Sequence, residues 1–70
     1  MNGEIVVKLD DYLKENNISR SSLCRNSGVR YDTILSYCRN TVTRLDTDTL
    51  AKLCGTLQCK IEDIIEYKEN

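Results

Sequence analysis

The sequence contains no histidine, no proline, no tryptophan and no phenylalanine, and only three glycines among its 70 residues. Each absence closes a route. Without histidine there is no imidazole to move protons near neutral pH or to bind a metal. Without proline, and with so little glycine, the chain lacks the composition of linkers and disordered segments. No apolar run approaches the ~18 residues that a membrane-spanning helix needs. The opening stretch "MNGEIVVKLDD" is too short and too acidic for a secretory signal, which sets the expectation of a cytoplasmic protein. The four cysteines, Cys24, Cys38, Cys54 and Cys59, stand 14, 16 and 5 positions apart. A zinc site usually shows a close C-x-x-C pair, and a disulfide framework needs an oxidising compartment. The cysteines therefore read as small buried thiols, and no metal or cofactor is expected.

An excess of positive charge is also missing: the formal net charge is −1. The charges are nevertheless sorted along the chain. From Arg20 to Arg44, five arginines against Asp32 alone give +4. Residues 1–19 carry two lysines against four carboxylates, and residues 45–70 three lysines against six. The flanks are thus −2 and −3.

Seventy residues make one domain (residues 1–70, core about 8–67) that buries about 60% of the surface its unfolded chain exposes. The expected fold is all-α, with five short helices. Leu9, Tyr12 and Leu13 fall at helical spacing, with Asp10 and Asp11 in the first turn and Asn16 and Asn17 as the stop. Ser19 is a good N-cap for a second helix burying Leu23 and Cys24, ended by Ser27 and Gly28. Val29 is an apolar plug. A third helix runs from about Tyr31 to Arg39, with Ile34, Tyr37 and Cys38 inward and Asn40 as a left-handed stop. Val42 and Leu45 anchor a polar connection. Asp46 or Thr47 caps a fourth helix carrying the stripe Leu50, Leu53, Cys54 and Leu57. "IEDIIEY" reads as a last short helix or turn burying Ile61, Ile64 and Ile65. The β-branched "EIVV" is a short strand or arm, and Ile65 to Tyr67 is expected to lie beside Ile5 to Val7, in the same chain or a partner's.

Helix, glycine turn and second helix over Ser19–Ser27, Gly28–Arg30 and Tyr31–Arg39 form the pattern of a helix-turn-helix. In that arrangement the second helix can enter the DNA major groove while the first crosses the backbone. Arg20, with the hydroxyls of Ser21 and Ser22, opens the first helix at an end that favours anions. Arg39, Thr41, Thr43 and Arg44 follow the second and are placed to grip flanking phosphates.

"NISRSSLCRNSGVRYDTILSYCRN" followed by "LDTDTLAKLCGTLQCKIEDIIEY" resembles the Cro/phage-repressor (XRE-like) helix-turn-helix family, in its compact bacterial members. Ser19, Arg20, Leu23, Cys24, Gly28, Val29 and Ile34 stand at the motif's positions. Two places depart from it: Arg30 stands where a Ser or Thr cap is common, and Cys38-Arg39-Asn40 replaces a common Glu-Asn-Gly ending. The resemblance implies a lambda-repressor-like domain and a transcriptional regulator, a repressor in the first instance. It implies base contacts from Arg30, Tyr31, Asp32 and Ser36, and a phosphate contact from Arg20. The residue types suit these roles: carboxylate to cytosine amino group, guanidinium to guanine or phosphate, tyrosine ring to thymine methyl. Asp32 has a second reading, as a charge that stabilises its helix N-terminus.

No catalytic set emerges. Asp10/Asp11 and Glu62/Asp63 are sequence neighbours and point about 100° apart on a helix, so neither is an acid–base dyad, and the chain is not read as an enzyme. The partners expected are double-stranded operator DNA and a second copy of the chain, since one small module covers little DNA and two half-sites supply specific affinity. The termini "EIVV" and "IIEYKEN" are the candidate dimer surfaces, and the dimer may form mainly on DNA. The rival reading is a protein-interaction module, antitoxin-like or accessory, working through its acidic C-terminal part.

Overall fold

The computed structural model describes residues 2–69. A strand β1 (Gly3–Val7) leads into α1 (Leu9–Glu15), α2 (Arg20–Ser27), α3 (Tyr31–Cys38) and α4 (Thr47–Leu57). A 3-10 turn at Ile61–Asp63 and a closing strand β2 (Ile65–Glu69) complete the chain. The helices begin and end where local chemistry directs. In α1, Asp10 and Asp11 occupy the first turn and Lys14 the last, matching the helix dipole. Asn17 ends it with φ 55°. Ser19 Oγ accepts from the Ser22 N–H at 3.0 Å to cap α2. Asp46 accepts from both the N–H and the hydroxyl of Thr49, at 3.2 and 2.9 Å, to cap α4.

Gly28 closes α2 with φ 76°, a conformation that costs a Cβ-bearing residue free energy. Its N–H donates to the Cys24 carbonyl, and Ser27 Oγ accepts from the Val29 N–H at 3.1 Å. The turn is held on both sides, and Val29 is driven inward. Leu9, Leu13, Leu23, Ile34, Leu53 and Ile64 are almost completely buried, with Val7, Val29, Tyr37 and Cys38 around them. Through this cluster α2 packs on α3 and α4, and α1 on α3.

The C-terminal segment departs from the helical expectation. Among the described residues there are four α-helices and a strand pair, not five helices. The 3-10 turn covers only Ile61–Asp63, with the Asp63 carboxylate accepting from the Lys60 N–H at 2.9 Å. After Ile64 the chain extends and pairs antiparallel with β1 of the same chain, Val7 opposite Ile65 and Ile5 opposite Tyr67. The β-branched pair Ile64-Ile65 suits an extended backbone, and β1 offers the ladder that a helix of this length could not match. Other apolar expectations also change. Ile61 is 45% exposed and Leu45 38% exposed rather than buried, and Cys24, Cys54, Cys59 and Ile65 are half-buried. The last turn of α3 ends at Cys38, one residue earlier than expected.

Leu45 lines an open groove of about 240 Å³ with Ile5, Val7, Asn40, Val42 and Thr43. At its floor the Asn40 side chain grips the Val7 backbone twice. Asn40 Oδ1 accepts from the Val7 N–H at 2.6 Å, and Asn40 Nδ2 donates to the Val7 carbonyl at 2.9 Å. Asn40 itself sits at φ 58°, where asparagine is better tolerated than most residues. Replacing Asn40 by glycine keeps the left-handed turn easy but removes both bonds. The variant should lose about 1–2 kcal/mol of stability, as the net worth of two hydrogen bonds, read as a lower midpoint in urea unfolding with unchanged slope.

Candidate nucleic-acid interface

The buried face of α3 consists of Ile34, Tyr37 and Cys38. That spacing leaves the opposite strip to the exposed Asp32 and the half-buried Ser36 one turn beyond it. Tyr31, three residues before the buried Ile34, flanks the buried face and is 42% exposed. Arg30 precedes them in an extended conformation with no side-chain cap on the helix.

The Ser36 hydroxyl is not idle. It donates to the Thr33 carbonyl at 2.8 Å, which leaves its oxygen as an acceptor only. Thr41 Oγ1 similarly reaches the Ser36 carbonyl at 3.4 Å. Arg39, Thr41, Thr43 and Arg44 are exposed in the segment that leaves α3, and Ser21 is exposed at the start of α2.

Ion pairing sharpens the electrostatics. Among the described residues the pairs are Lys8–Glu66, Lys14–Asp10, Arg20–Asp10 and Lys52–Asp48. Arg25, Arg30, Arg39 and Arg44 take part in none of them. Asp10 of α1 is engaged by Lys14 and Arg20, and Asp48 of α4 by Lys52. Salt screens the remaining carboxylates that lie beyond ~8–10 Å of the four other arginines.

Arg20 differs from the other arginines. Its guanidinium donates to Asp10 at 3.0 Å and fastens the start of α2 to α1. Hydrogen bonds from Lys14 and then from Arg20 hold the Asp10 carboxyl below its ordinary 3.8. Asp10 is ten residues from Arg20 and was not expected in the site. No local periodicity links the two; the fold brings them together, with α1 and α2 both packed on α3.

Burial acts on two of the thiols. All four cysteines are free. Burial, and then the adjacent Cys54, push Cys59 up to about 11, and burial also raises Cys38. Both are protonated at neutral pH and so are poor nucleophiles and metal ligands. Among the described residues no group of three or more His, Cys, Asp or Glu side chains could hold a metal ion. No helix there is long and apolar enough to cross a membrane.

A family model described as a Cro/C1-type HTH DNA-binding domain matches residues 8–70. No curated protein and no solved structure matches the chain.

The Asp10 pairing has a pH signature. A carboxyl held low in the fold adds stability that is complete above its unfolded value and is lost as pH falls through the folded one. Wild-type protein should therefore lose stability as pH falls through and below the free carboxyl's 3.8. Asp10→Asn should be less stable at neutral pH and should show a shallower acid dependence, measured by urea unfolding across that range.

Proposed function

The chain belongs to the Cro/C1-type helix-turn-helix DNA-binding domain family, and from that premise we propose that it is a sequence-specific regulator of transcription, acting as a repressor in the cytoplasm. The observation that supports this reading is that Arg25, Arg30, Arg39 and Arg44, before and after α3, are exposed and take part in none of the ion pairs among the described residues. In this reading α3 lies in the major groove, and Arg30, Tyr31, Asp32 and Ser36 meet base edges. Ser36 does so as an acceptor, because its proton is already committed. Arg39, Thr41 and Arg44 hold the phosphates beyond the helix, and Ser21 those before it. Arg20 serves the phosphate through one edge of its guanidinium while the other stays on Asp10, a division that its five donors permit. The carboxylate thus fixes the arginine's direction before DNA arrives.

The protein works as a homodimer on two half-sites, because one module of this size covers too little DNA for high specificity. Binding is salt-dependent through counterion release. Fluorescence anisotropy with duplex DNA from its own promoter, titrated at several salt concentrations, tests the reading. Arg39→Ala and Arg44→Ala should each flatten the slope of log K against log salt by about one. Equal affinity for promoter and random duplex would overturn specific regulation. Tyr31→Ala should change which sequences are preferred, by about 1–3 kcal/mol at one base position. A uniform loss over all sequences would remove Tyr31 from base reading.

A further inference from the structure

The C-terminal end of α4 closes in a tight turn. Gln58 takes the left-handed conformation, with φ 53° and ψ 48°, and its N–H donates to the Cys54 carbonyl. The Cys59 N–H reaches the same carbonyl at 3.1 Å, which is the long bond of a Schellman motif. That turn commonly sets an apolar side chain at its end against one at its beginning. Here both positions are cysteine. The two thiols are free, both are half-buried, and they lie within hydrogen-bonding reach of one another. Cys24 lies on α2 and Cys38 at the end of α3, outside this turn. The five-position spacing of Cys54 and Cys59 is not that of a C-x-x-C pair; the left-handed Gln58 is what folds it shut.

We propose that Cys54 and Cys59 form a site of reversible oxidation, closing to an intramolecular disulfide by exchange with a small-molecule disulfide such as oxidised glutathione. The Cys54 thiolate attacks one sulfur of the small disulfide and displaces the first small thiolate. The Cys59 thiolate then attacks the Cys54 sulfur of the mixed disulfide and displaces the second. Two protein thiols are oxidised, one small disulfide is reduced to two thiols, and the protons lost by the protein end on those thiols. The order follows from the surroundings. Burial pushes the Cys59 thiol up, so it is a poor attacker of a reagent in solution and serves instead against the sulfur that the turn holds beside it. Disulfides inside cells are usually transient and redox-sensing rather than structural. A bond across a single helix-ending turn is of that kind, since it forms between groups already in contact. It fastens the last turn of α4 to the segment leading into the 3-10 turn and β2. It also clamps a left-handed Gln58, a conformation that a side chain other than glycine or asparagine adopts only at a cost.

This site is independent of the regulator reading, and its test uses no DNA. The intact chain is equilibrated with reduced and oxidised glutathione over a range of ratios, quenched by alkylation in urea and cleaved with trypsin. Cleavage after Lys52 and Lys60 releases residues 53–60, which hold Cys54 and Cys59 and neither of the other cysteines. That peptide should appear unalkylated and two hydrogens lighter, in a fraction that rises with the oxidised share, while Cys24 and Cys38 stay alkylated. When the equilibration is done in urea instead, the equilibrium constant for closure should fall about tenfold or more, because the turn and not the short spacing holds the thiols together. By the same cycle the oxidised chain should unfold at a higher urea concentration than the reduced one. Cys59→Ser should stop at a mixed disulfide on Cys54. A folded wild-type chain whose 53–60 peptide stays fully alkylated in a large excess of oxidised glutathione overturns the proposal. So does closure that is equally favourable in urea, and so does a disulfide joining either thiol to Cys24 or Cys38.

Discussion

The bond pair between Asn40 and the Val7 backbone joins parts of the chain 33 residues apart, and much of the architecture hangs on it. One residue performs three tasks. Its left-handed backbone ends the turn after α3. Its amide satisfies a donor and an acceptor that the strand pair cannot reach. By doing so it ties the C-terminal end of α3 to β1, and through β1 to β2. The helix with the free outer edge is therefore held at its start by the Gly28–Val29 turn and at its end by the sheet. A helix of eight residues has little stability of its own; fixing both ends is what gives it a defined direction.

Electrostatics follow the same economy. Three carboxylates of the acidic flanks find ion-pair partners within the fold, Asp10 with Lys14 and Arg20, Asp48 with Lys52, Glu66 with Lys8. These pairs contribute little stability individually. Arg39 and Arg44, after α3, take part in none of them and face solvent. A protein of net charge −1 can in this way present a cationic surface while its remaining surface discourages indiscriminate binding to polyanions.

Much of this was legible in the sequence because it is local. The caps at Ser19 and Asp46, the left-handed Gly28 and Asn40, and the inward set Ile34, Tyr37 and Cys38 all follow from spacings of four residues or fewer. The antiparallel neighbourhood of Ile5–Val7 and Ile65–Tyr67 was legible from β-branched composition at both ends. What escaped depended on contacts distant in sequence. "IEDIIEY" has helical spacing, but its helical part shrinks to the 3-10 turn Ile61–Asp63. Leu45 and Ile61 look like anchors, but the core is already closed by Val7, Leu53 and Ile64. Asn40 was recognisable as a turn residue but not as a clamp, and nothing near Arg20 in the sequence announces Asp10. For α3 and the phosphate grip, the sequence supplied the candidates, of which Arg30, Tyr31, Asp32, Arg39, Thr41 and Arg44 are exposed.

The central claim is that the outer edge of α3 reads duplex DNA, and selection of bound duplexes from a random pool by the intact protein tests it most directly. The account predicts enrichment of a defined motif whose bases change when Tyr31 or Asp32 is replaced, arranged as two inverted half-sites about one helical turn apart. Recovery of a pool as random as the one supplied would contradict it.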